Sequence, residues 1–283
     1  MSWTKSKMYA VIKVWIPLFL LFSLFFFVTS LLNNTLIVSV LQLMLGDEKK
    51  EVVIKLCEYL NTSISFFLGV VLVLQVLTFF RNKNSNQVFN SNGNINYDYS
   101  YATYIIAAKV LGYNQVQLAG VPIGMQYKLV LRGTFSNIIV DVWDNHYVDV
   151  VSTKAKEYVR VEKENFNGNH NKKMNLVISD TYRIESSSID EKYVENPTIR
   201  IESCFTDSEI RYLNKPLVNK VRQVLQKEVD ETVKELYVFS SANPKNNLDI
   251  ITSCFRKFGR FQIQKVFVVQ FDEEKYKKAK RVI

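Results

Sequence analysis

The hydrophobic positions of the chain are concentrated in two uncharged runs near its start. Residues 15–32, WIPLFLLFSLFFFVTSLL, and residues 63–80, SISFFLGVVLVLQVLTFF, each hold eighteen residues without a charge. A helix of that length rises roughly 27 Å, about the thickness of the hydrocarbon core of a bilayer. The pattern therefore predicts two transmembrane helices, which would form a hairpin within residues 1–81.

The charges that flank these runs predict the orientation of the hairpin. Lys5, Lys7 and Lys13 precede the first run, and Arg81 and Lys83 follow the second. The segment between the two runs offsets its lysines with acidic residues. Because basic residues close to membrane spans favour the cytoplasmic side, we expect both termini to be cytoplasmic.

A polar segment separates the hairpin from the rest of the chain. Residues 82–97 contain seven asparagines and few side chains that would pack in a core. Such a composition is typical of a linker. We therefore expect a folded cytoplasmic domain to occupy residues 98–283.

The pattern within this domain changes midway. Residues 100–113 have helical spacing and end near a glycine, and alternating or β-branched runs then predict an antiparallel meander at 127–133, 137–143, 147–153 and 158–164. Further on, the pattern predicts strands at 174–180, 197–203, 236–239 and 265–271, with helices at 216–236 and 246–258. Uninterrupted apolar strands that alternate with helices indicate an α/β fold with a parallel sheet covered on both faces.

Composition narrows the chemistry that the domain can perform. The chain has 36 Lys+Arg against 27 Asp+Glu. Its excess of +6 from residue 82 onward suits an anionic ligand or membrane surface, and an ordinary solvated surface also explains it. Its three cysteines are widely spaced and its two histidines are too few for most histidine-based catalysis or metal binding. Neither a GxGxxG nor a GxxxxGK[ST] motif is present. We therefore expect no catalytic residue, no metal and no cofactor.

Two strand ends carry the candidate binding residues. The first is followed by Ser179, Asp180, Thr181 and Arg183, and the second by Ser240, Ser241, Asn243 and Asn247. The carboxyl edge of an open α/β sheet is a common ligand site, and helix N-termini there favour phosphate. Arg183 is the natural phosphate partner. Small polar residues also cap helices for structural reasons, and a surface salt bridge also explains Arg183.

The run LYVFSSANPKNNLDIITSCFRKFGRFQIQKVFVVQFD, which begins at residue 236, resembles the end of the SAVED domain. VLGYNQVQLAGVPIG and NLVISDTYRIESSSID are similar in style to earlier parts of that family. The resemblance implies two CARF-like, Rossmann-like halves that sense a cyclic oligonucleotide made by a nucleotidyltransferase. It also implies a role in bacterial anti-phage (CBASS) defence, in which some members carry two transmembrane helices as the effector.

On this resemblance we expect a membrane effector rather than an enzyme. Ligand binding would make the transmembrane helices oligomerise and disrupt the inner membrane of the cell, and a cyclic-nucleotide synthase would supply the ligand. Two alternatives remain open. One is a membrane-bound enzyme acting on a nucleotide or nucleotide sugar, with Asp180, Asp141 or Asp144 as acid or base. The other is a noncatalytic membrane scaffold that recruits a partner.

Overall fold

In the computed structural model the chain divides into two units. The structure describes residues 2–31, 39, 43, 50–92, 95–140, 147–150, 158–166, 172–206, 211–229, 232–256 and 263–283. The first unit contains residues 3–89 and 99–114, and the second contains residues 90–98 and 115–283. The division predicted from the sequence is different: a transmembrane hairpin to residue 81, a linker over 82–97 and a cytoplasmic domain from residue 98. That division stays a prediction.

Eight helices are numbered here in chain order among the described residues. They are α1 (Ser2–Ala10), α2 (Ile16–Leu31), α3 (Lys50–Asn84), α4 (Tyr101–Ile105), α5 (Ile123–Leu131), α6 (Glu191–Val194), α7 (Lys215–Glu228) and α8 (Pro244–Ile250). A π-helical turn, Val11–Trp15, joins α1 to α2. Similar turns extend α4 over Ile106–Val110 and α8 over Ile251–Phe255.

Ten strands occur in the same described ranges. They are β1 (Gln115–Gln117), β2 (Asn137–Ile139), β3 (Tyr147–Asp149), β4 (Val159–Glu164), β5 (Lys173–Ser179), β6 (Thr198–Ser203), β7 (Arg211–Leu213), β8 (Glu235–Ser240), β9 (Lys265–Asp272) and β10 (Lys275–Arg281).

Two helices of the first unit are long and apolar enough to cross a membrane. By length and hydropathy the candidate spans are Lys5–Ser30 and Ser65–Asn84, which contain most of the two runs found in the sequence. The rings of Phe25 and Phe66 pack edge to face with their centroids 5.6 Å apart, so α2 and α3 pack side by side. Large apolar side chains such as Phe19 are more than half exposed, as a lipid-facing surface requires.

Residues 99–114 pack within this first unit. The Tyr99 hydroxyl donates to the backbone oxygen of Ser6 at 2.8 Å, and Asn84 Nδ2 donates to the backbone oxygen of Leu111 at 2.9 Å. Gly112 has a φ of +79°, and a Cβ atom there would lie 2.7 Å from the Cα atom of Arg81. This close approach requires glycine, so the segment is fixed against the end of α3.

The second unit is built on a mixed six-stranded sheet with the order β10-β9-β8-β5-β6-β4. The inner strands β9, β8, β5 and β6 are parallel, whereas β10 and β4 pair antiparallel at the two edges. Leu176, Val238 and Val268 lie in the middle of the inner strands and are buried, and α7 and α8 cover the same core. The predicted α/β class and the predicted inner strands are confirmed.

Three of the four strands predicted for the antiparallel meander occur at least in part, as β2, β3 and β4, but the meander itself is wrong for the described residues. Residues 123–131 form helix α5, β2 pairs parallel to β1, and β3 pairs parallel to β7. The sequence misleads because α5 is buried on most sides: Met125, Tyr127, Leu129 and Val130 all lie in the interior. Without a polar face, the alternating order around Tyr127 imitates a strand.

One further predicted element differs from the structure. Helix α7 ends at Glu228 instead of residue 236, because Glu235 already pairs with both neighbouring strands as the first residue of β8. Within residues 82–97, Phe89, Asn90 and Tyr97 are fully buried. Asn90 exchanges two hydrogen bonds with the backbone of Gln117, at 2.8 and 2.9 Å, so this asparagine acts as a structural side chain.

Candidate functional site

Strands β5 and β8 are parallel neighbours, so the two predicted groups of polar residues lie together. The backbone N–H of Asp180 donates to Ser241 Oγ at 3.0 Å, and the Thr181 hydroxyl donates to the backbone oxygen of Ser241. Ser241 Oγ also donates to the backbone oxygen of Tyr182 at 2.6 Å. These contacts tie the turn after β5 to the turn after β8.

The carboxylate of Asp180 is the most buried charged group at this junction. The residue is 4% exposed, and its Oδ2 accepts from the backbone N–H of Asn243 at 3.3 Å and from Asn246 Nδ2 at 2.7 Å. Burial raises the pKa of Asp180, while the hydrogen bonds from Asn246, Asn243 and Asn214 act in the opposite direction. Neutral amide donors therefore hold this acid in the interior.

The asparagines around Asp180 also begin two helices. Asn243 Oδ1 accepts from the backbone N–H groups of Lys245 and Asn246 at the start of α8. Asn214 Oδ1 accepts from the Leu217 N–H at the start of α7, and the Asn214 N–H donates to Asn246 Oδ1 at 2.9 Å. We call Asp180, Asn214, Asn243 and Asn246 the asparagine network. It joins the ends of β5 and β8 to the starts of α7 and α8.

Three other predicted residues make structural contacts as well. Ser179 Oγ accepts from the Ile184 N–H at 3.1 Å, and Ser240 Oγ accepts from the Ala242 N–H at 3.1 Å. Asn247 Nδ2 donates to Gln126 Oε1 at 2.7 Å. Asn247 Oδ1 is buried and has no hydrogen-bond partner among the described residues. Ligand binding by these eight predicted residues stays a prediction.

Arg183 lies in a small groove beside this junction. Its guanidinium group is 3.4 Å from Glu202 and 3.5 Å from Glu185, and its side chain is 53% exposed. The groove has a volume of about 60 Å³, and its other charged lining residues are Glu162, Glu164 and Arg200. Four carboxylates against two guanidinium groups make the groove acidic, so its charge disfavours a phosphate.

A larger cleft opens on the other side of the turn after β8. It has a volume of about 420 Å³. It is lined by Asn96, Asp98, Gly120, Val121, Pro122, Ile123, Tyr182, Ser240, Val269, Gln270, Phe271, Asp272, Tyr276, Lys278 and Lys280. The end of β8, the end of β9, strand β10 and the start of α5 therefore meet here. We call this space the strand-end cleft.

Aromatic rings and two lysine–aspartate pairs contribute to the wall of the strand-end cleft. Tyr182 is 45% exposed and Phe271 is 54% exposed, and the hydroxyls of Tyr182 and Tyr276 share a hydrogen bond of 3.0 Å. The Lys278 ammonium lies 2.9 Å from Asp272, and the Lys280 ammonium lies 3.8 Å from Asp98. The cleft thus offers flat apolar surfaces beside two lysines, each of which is paired with a carboxylate.

Sequence reasoning found Ser240 in this cleft but missed Tyr182, Phe271 and the lysines of β10. The exposure of an aromatic ring depends on its tertiary neighbours, so no local pattern marks it. The composition of β10, KYKKAKR, was the available signal, because an edge strand rich in lysine remains accessible. Asp141 and Asp144, the other acids weighed for catalysis, lie outside the described residues.

The chain matches one family model over nearly its whole length. The family is described as the SMODS- and ubiquitin system-associated 2TM effector domain, and the match covers residues 2–283. No curated protein matches the chain.

Similar solved structures include the SAVED/CARF-domain containing receptor Cap4 of Acinetobacter baumannii. The structure of this receptor with the cyclic trinucleotide 2'3'3'-cAAA is 11% identical in sequence to the chain and has a TM-score of 0.43, and the match covers 64% of the chain and 42% of the receptor. The structure with 3'3'3'-cAAA is also 11% identical, with a TM-score of 0.43, and the match covers 64% of the chain and 41% of the receptor. The chain therefore spans less than half the length of these receptors. They contain the SAVED domain that the sequence resembles.

The asparagine network predicts a specific effect on stability. Asn246→Ala removes a donor to Asp180 and the acceptor for Asn214, so we expect a loss of about 1–3 kcal/mol in the free energy of unfolding. Lys245→Ala is a neighbouring control that removes only a partly exposed ion pair with Asp249, and it should change stability by less than about 0.5 kcal/mol. Denaturant unfolding of the full chain in detergent measures both variants. Equal effects would contradict the role of the network.

Proposed function

The chain belongs to the SMODS- and ubiquitin system-associated 2TM effector family, and on this premise we propose that it is a membrane-anchored sensor and effector of anti-phage defence. Its second unit binds a cyclic oligonucleotide supplied by a cyclic-nucleotide synthase. Its two apolar helices form a transmembrane hairpin in the inner membrane, with both termini in the cytoplasm. The two CARF-like halves implied by the SAVED resemblance belong to the same proposal.

The strand-end cleft is the observation that carries the sensor proposal. Nucleobases stack on accessible aromatic rings, and Tyr182 and Phe271 offer two such rings. Phosphates pair with cations and with backbone N–H groups at the start of a helix, and Lys278 and the start of α5 provide both. The volume of about 420 Å³ lies within the ordinary range for small-molecule sites. The combination suits a nucleotide better than an uncharged ligand.

The residues predicted from the sequence keep a place in this proposal. Ser240 lines the strand-end cleft directly. Ser179, Asp180, Thr181, Ser241 and Asn243 form hydrogen bonds in the turns after β5 and β8, and Asn247 donates to Gln126 of α5. Arg183 is the exception, because it lies in the acidic groove with Glu202 and Glu185. Arg183 therefore distinguishes a ligand bound in the groove from one bound in the cleft.

We also propose that the chain acts without catalysis. Asp180 is 4% exposed and is hydrogen-bonded to Asn246, which makes it a poor acid or base for a bound substrate. The two carboxylates of the cleft, Asp98 and Asp272, each lie beside a lysine. Among the described residues, no group of His, Cys, Asp and Glu side chains is arranged to hold a metal ion.

The cleft gives a prediction about ligand affinity. The full chain in detergent is titrated with a panel of cyclic di-, tri- and tetranucleotides, and at least one should raise its melting temperature without being consumed. Phe271→Ala should lower the affinity for that nucleotide roughly 5- to 150-fold, because the stacking of one base on the ring is lost. Val194→Ala removes a comparably exposed apolar side chain elsewhere and should leave the affinity unchanged.

Arg183→Ala completes this experiment. If the nucleotide binds in the strand-end cleft, the Arg183→Ala chain should bind it about as tightly as the native chain does. If the nucleotide binds in the acidic groove, Arg183→Ala should weaken binding more than Phe271→Ala does. A panel that contains no stabilising nucleotide would contradict the sensor proposal. Turnover of a nucleotide would instead support the enzyme alternative.

The effector part of the proposal follows from geometry. One pair of helices encloses no lumen, so membrane disruption requires several copies assembled side by side. A ligand drives such assembly only by binding the assembled state more tightly, and a shift from 1:99 to 99:1 takes about 5.5 kcal/mol of differential affinity. Binding between adjacent second units, or a ligand-induced change in their shape, would supply this difference.

This mechanism predicts ligand-dependent leakage. The full chain is reconstituted in liposomes that contain a trapped dye, and the dye should escape only with the nucleotide and steeply with protein density. A control chain with its two spans replaced by an unrelated hairpin should bind the nucleotide and release no dye. Leakage without ligand, or leakage by the control chain, would refute the mechanism even where binding is established.

A further inference from the structure

Three segments of the first unit carry basic residues and no acidic ones. Six basic residues lie in residues 2–31, 81–89 and 99–114, and these ranges contain no Asp or Glu: Lys5, Lys7, Lys13, Arg81, Lys83 and Lys109. Lys5, Arg81, Lys83 and Lys109 are exposed. All of them lie outside the uncharged runs 15–32 and 63–80.

The fold of this unit places Lys109 level with the ends of these runs. Arg81 Nη1 donates to the backbone oxygen of Lys109 at 3.1 Å, directly after the second run ends. The π-helical turn Ile106–Val110 contacts the turn Val11–Trp15, where the first run begins. With both runs in a bilayer, the helix that starts at Tyr101 therefore lies at the depth of the lipid headgroups.

The same helix has one buried face and one exposed face. Thr103, Tyr104 and Ala107 are buried within the first unit. Ala102, Ile105 and Lys109 are exposed at three- to four-residue spacing, and Ile105 is 37% exposed. An exposed apolar side chain beside a lysine is typical of a helix that lies in a membrane surface.

Trp15 agrees with this depth. It is the first residue of the first uncharged run and is 48% exposed. Tryptophan is enriched at the boundary between hydrocarbon and headgroups, where its ring is partly solvated. The boundary assigned by Trp15 is the level at which residues 106–110 contact the first span.

We propose that Lys5, Lys83, Lys109 and their basic neighbours bind the phosphate groups of anionic phospholipids, with Ile105 inserted between the headgroups. We call this the basic collar. Positive charge without acidic residues complements an anionic leaflet, and the surface continues directly into the two spans, so a lipid is the occupant that both properties favour. The proposal extends beyond nucleotide sensing and does not depend on which soluble ligand the second unit binds.

The proposal is tested by the lipids that the chain retains. The full chain is reconstituted in vesicles of equal parts phosphatidylcholine and phosphatidylglycerol, extracted in a mild detergent, and its bound lipids are counted by mass spectrometry without any nucleotide. The native chain should retain phosphatidylglycerol in excess. Lys83→Glu with Lys109→Glu should reduce that excess roughly fivefold or more for each cation removed. Concentrated salt in the extraction should reduce it as well.

Matched variants separate the basic collar from net charge. Lys172→Glu with Lys227→Glu makes the same charge change at exposed positions of the second unit and should retain lipid as the native chain does. Lys83→Gln with Lys109→Gln removes the two charges without reversing them. If the double Glu variant fails to insert into the vesicles, the double Gln variant tests lipid retention in its place. Equal retention of the two lipids by the native chain would overturn the proposal. So would an excess that survives the removal of both cations.

Discussion

The buried carboxylate of Asp180 is the constraint on which the polar edge of the sheet depends. A charged group away from water must be hydrogen-bonded, and Asp180 accepts from the Asn243 backbone and from the Asn246 side chain. Asn246 also accepts from Asn214, so the ends of β5 and β8 and the starts of α7 and α8 are held as one structure. Because these groups already pair with one another, the proposed ligand site lies in the residues just outside them.

The lysines of the strand-end cleft are paired with carboxylates that a phosphate could replace. Lys278 and Lys280 lie beside Asp272 and Asp98 at the surface, where ion pairs are weak and easily replaced. A phosphate that displaces either carboxylate meets a lysine that is already in position. Tyr182 is fixed by its hydrogen bond to Tyr276, so one stacking surface is also in position before ligand arrives. This arrangement reduces the ordering that binding would require.

The sequence predicts the inner sheet well and the cleft poorly, for physical reasons. The strands β5, β8 and β9 place apolar residues in the core on both faces of the sheet and therefore appear as continuous apolar runs. Helix α5 is missed because its buried surface leaves no polar face, and β10 is missed because its cations resemble a solvated loop. Topology alone brings Asp180 and Ser241 together. The exposure of Tyr182 and Phe271 depends on distant packing, which no local pattern encodes.

Hydrogen–deuterium exchange of the full chain, with and without a cyclic oligonucleotide that binds it, tests the position of the sensor site most directly. Occupancy of the strand-end cleft predicts slower exchange of backbone amides in residues 120–123 and 269–272 and at Tyr276 and Lys278, which line it near the start of α5 and along β9 and β10. Exchange in residues 183–186, at the acidic groove, should change less. Slower exchange confined to the acidic groove, or no change at either place under saturating ligand, would contradict the account.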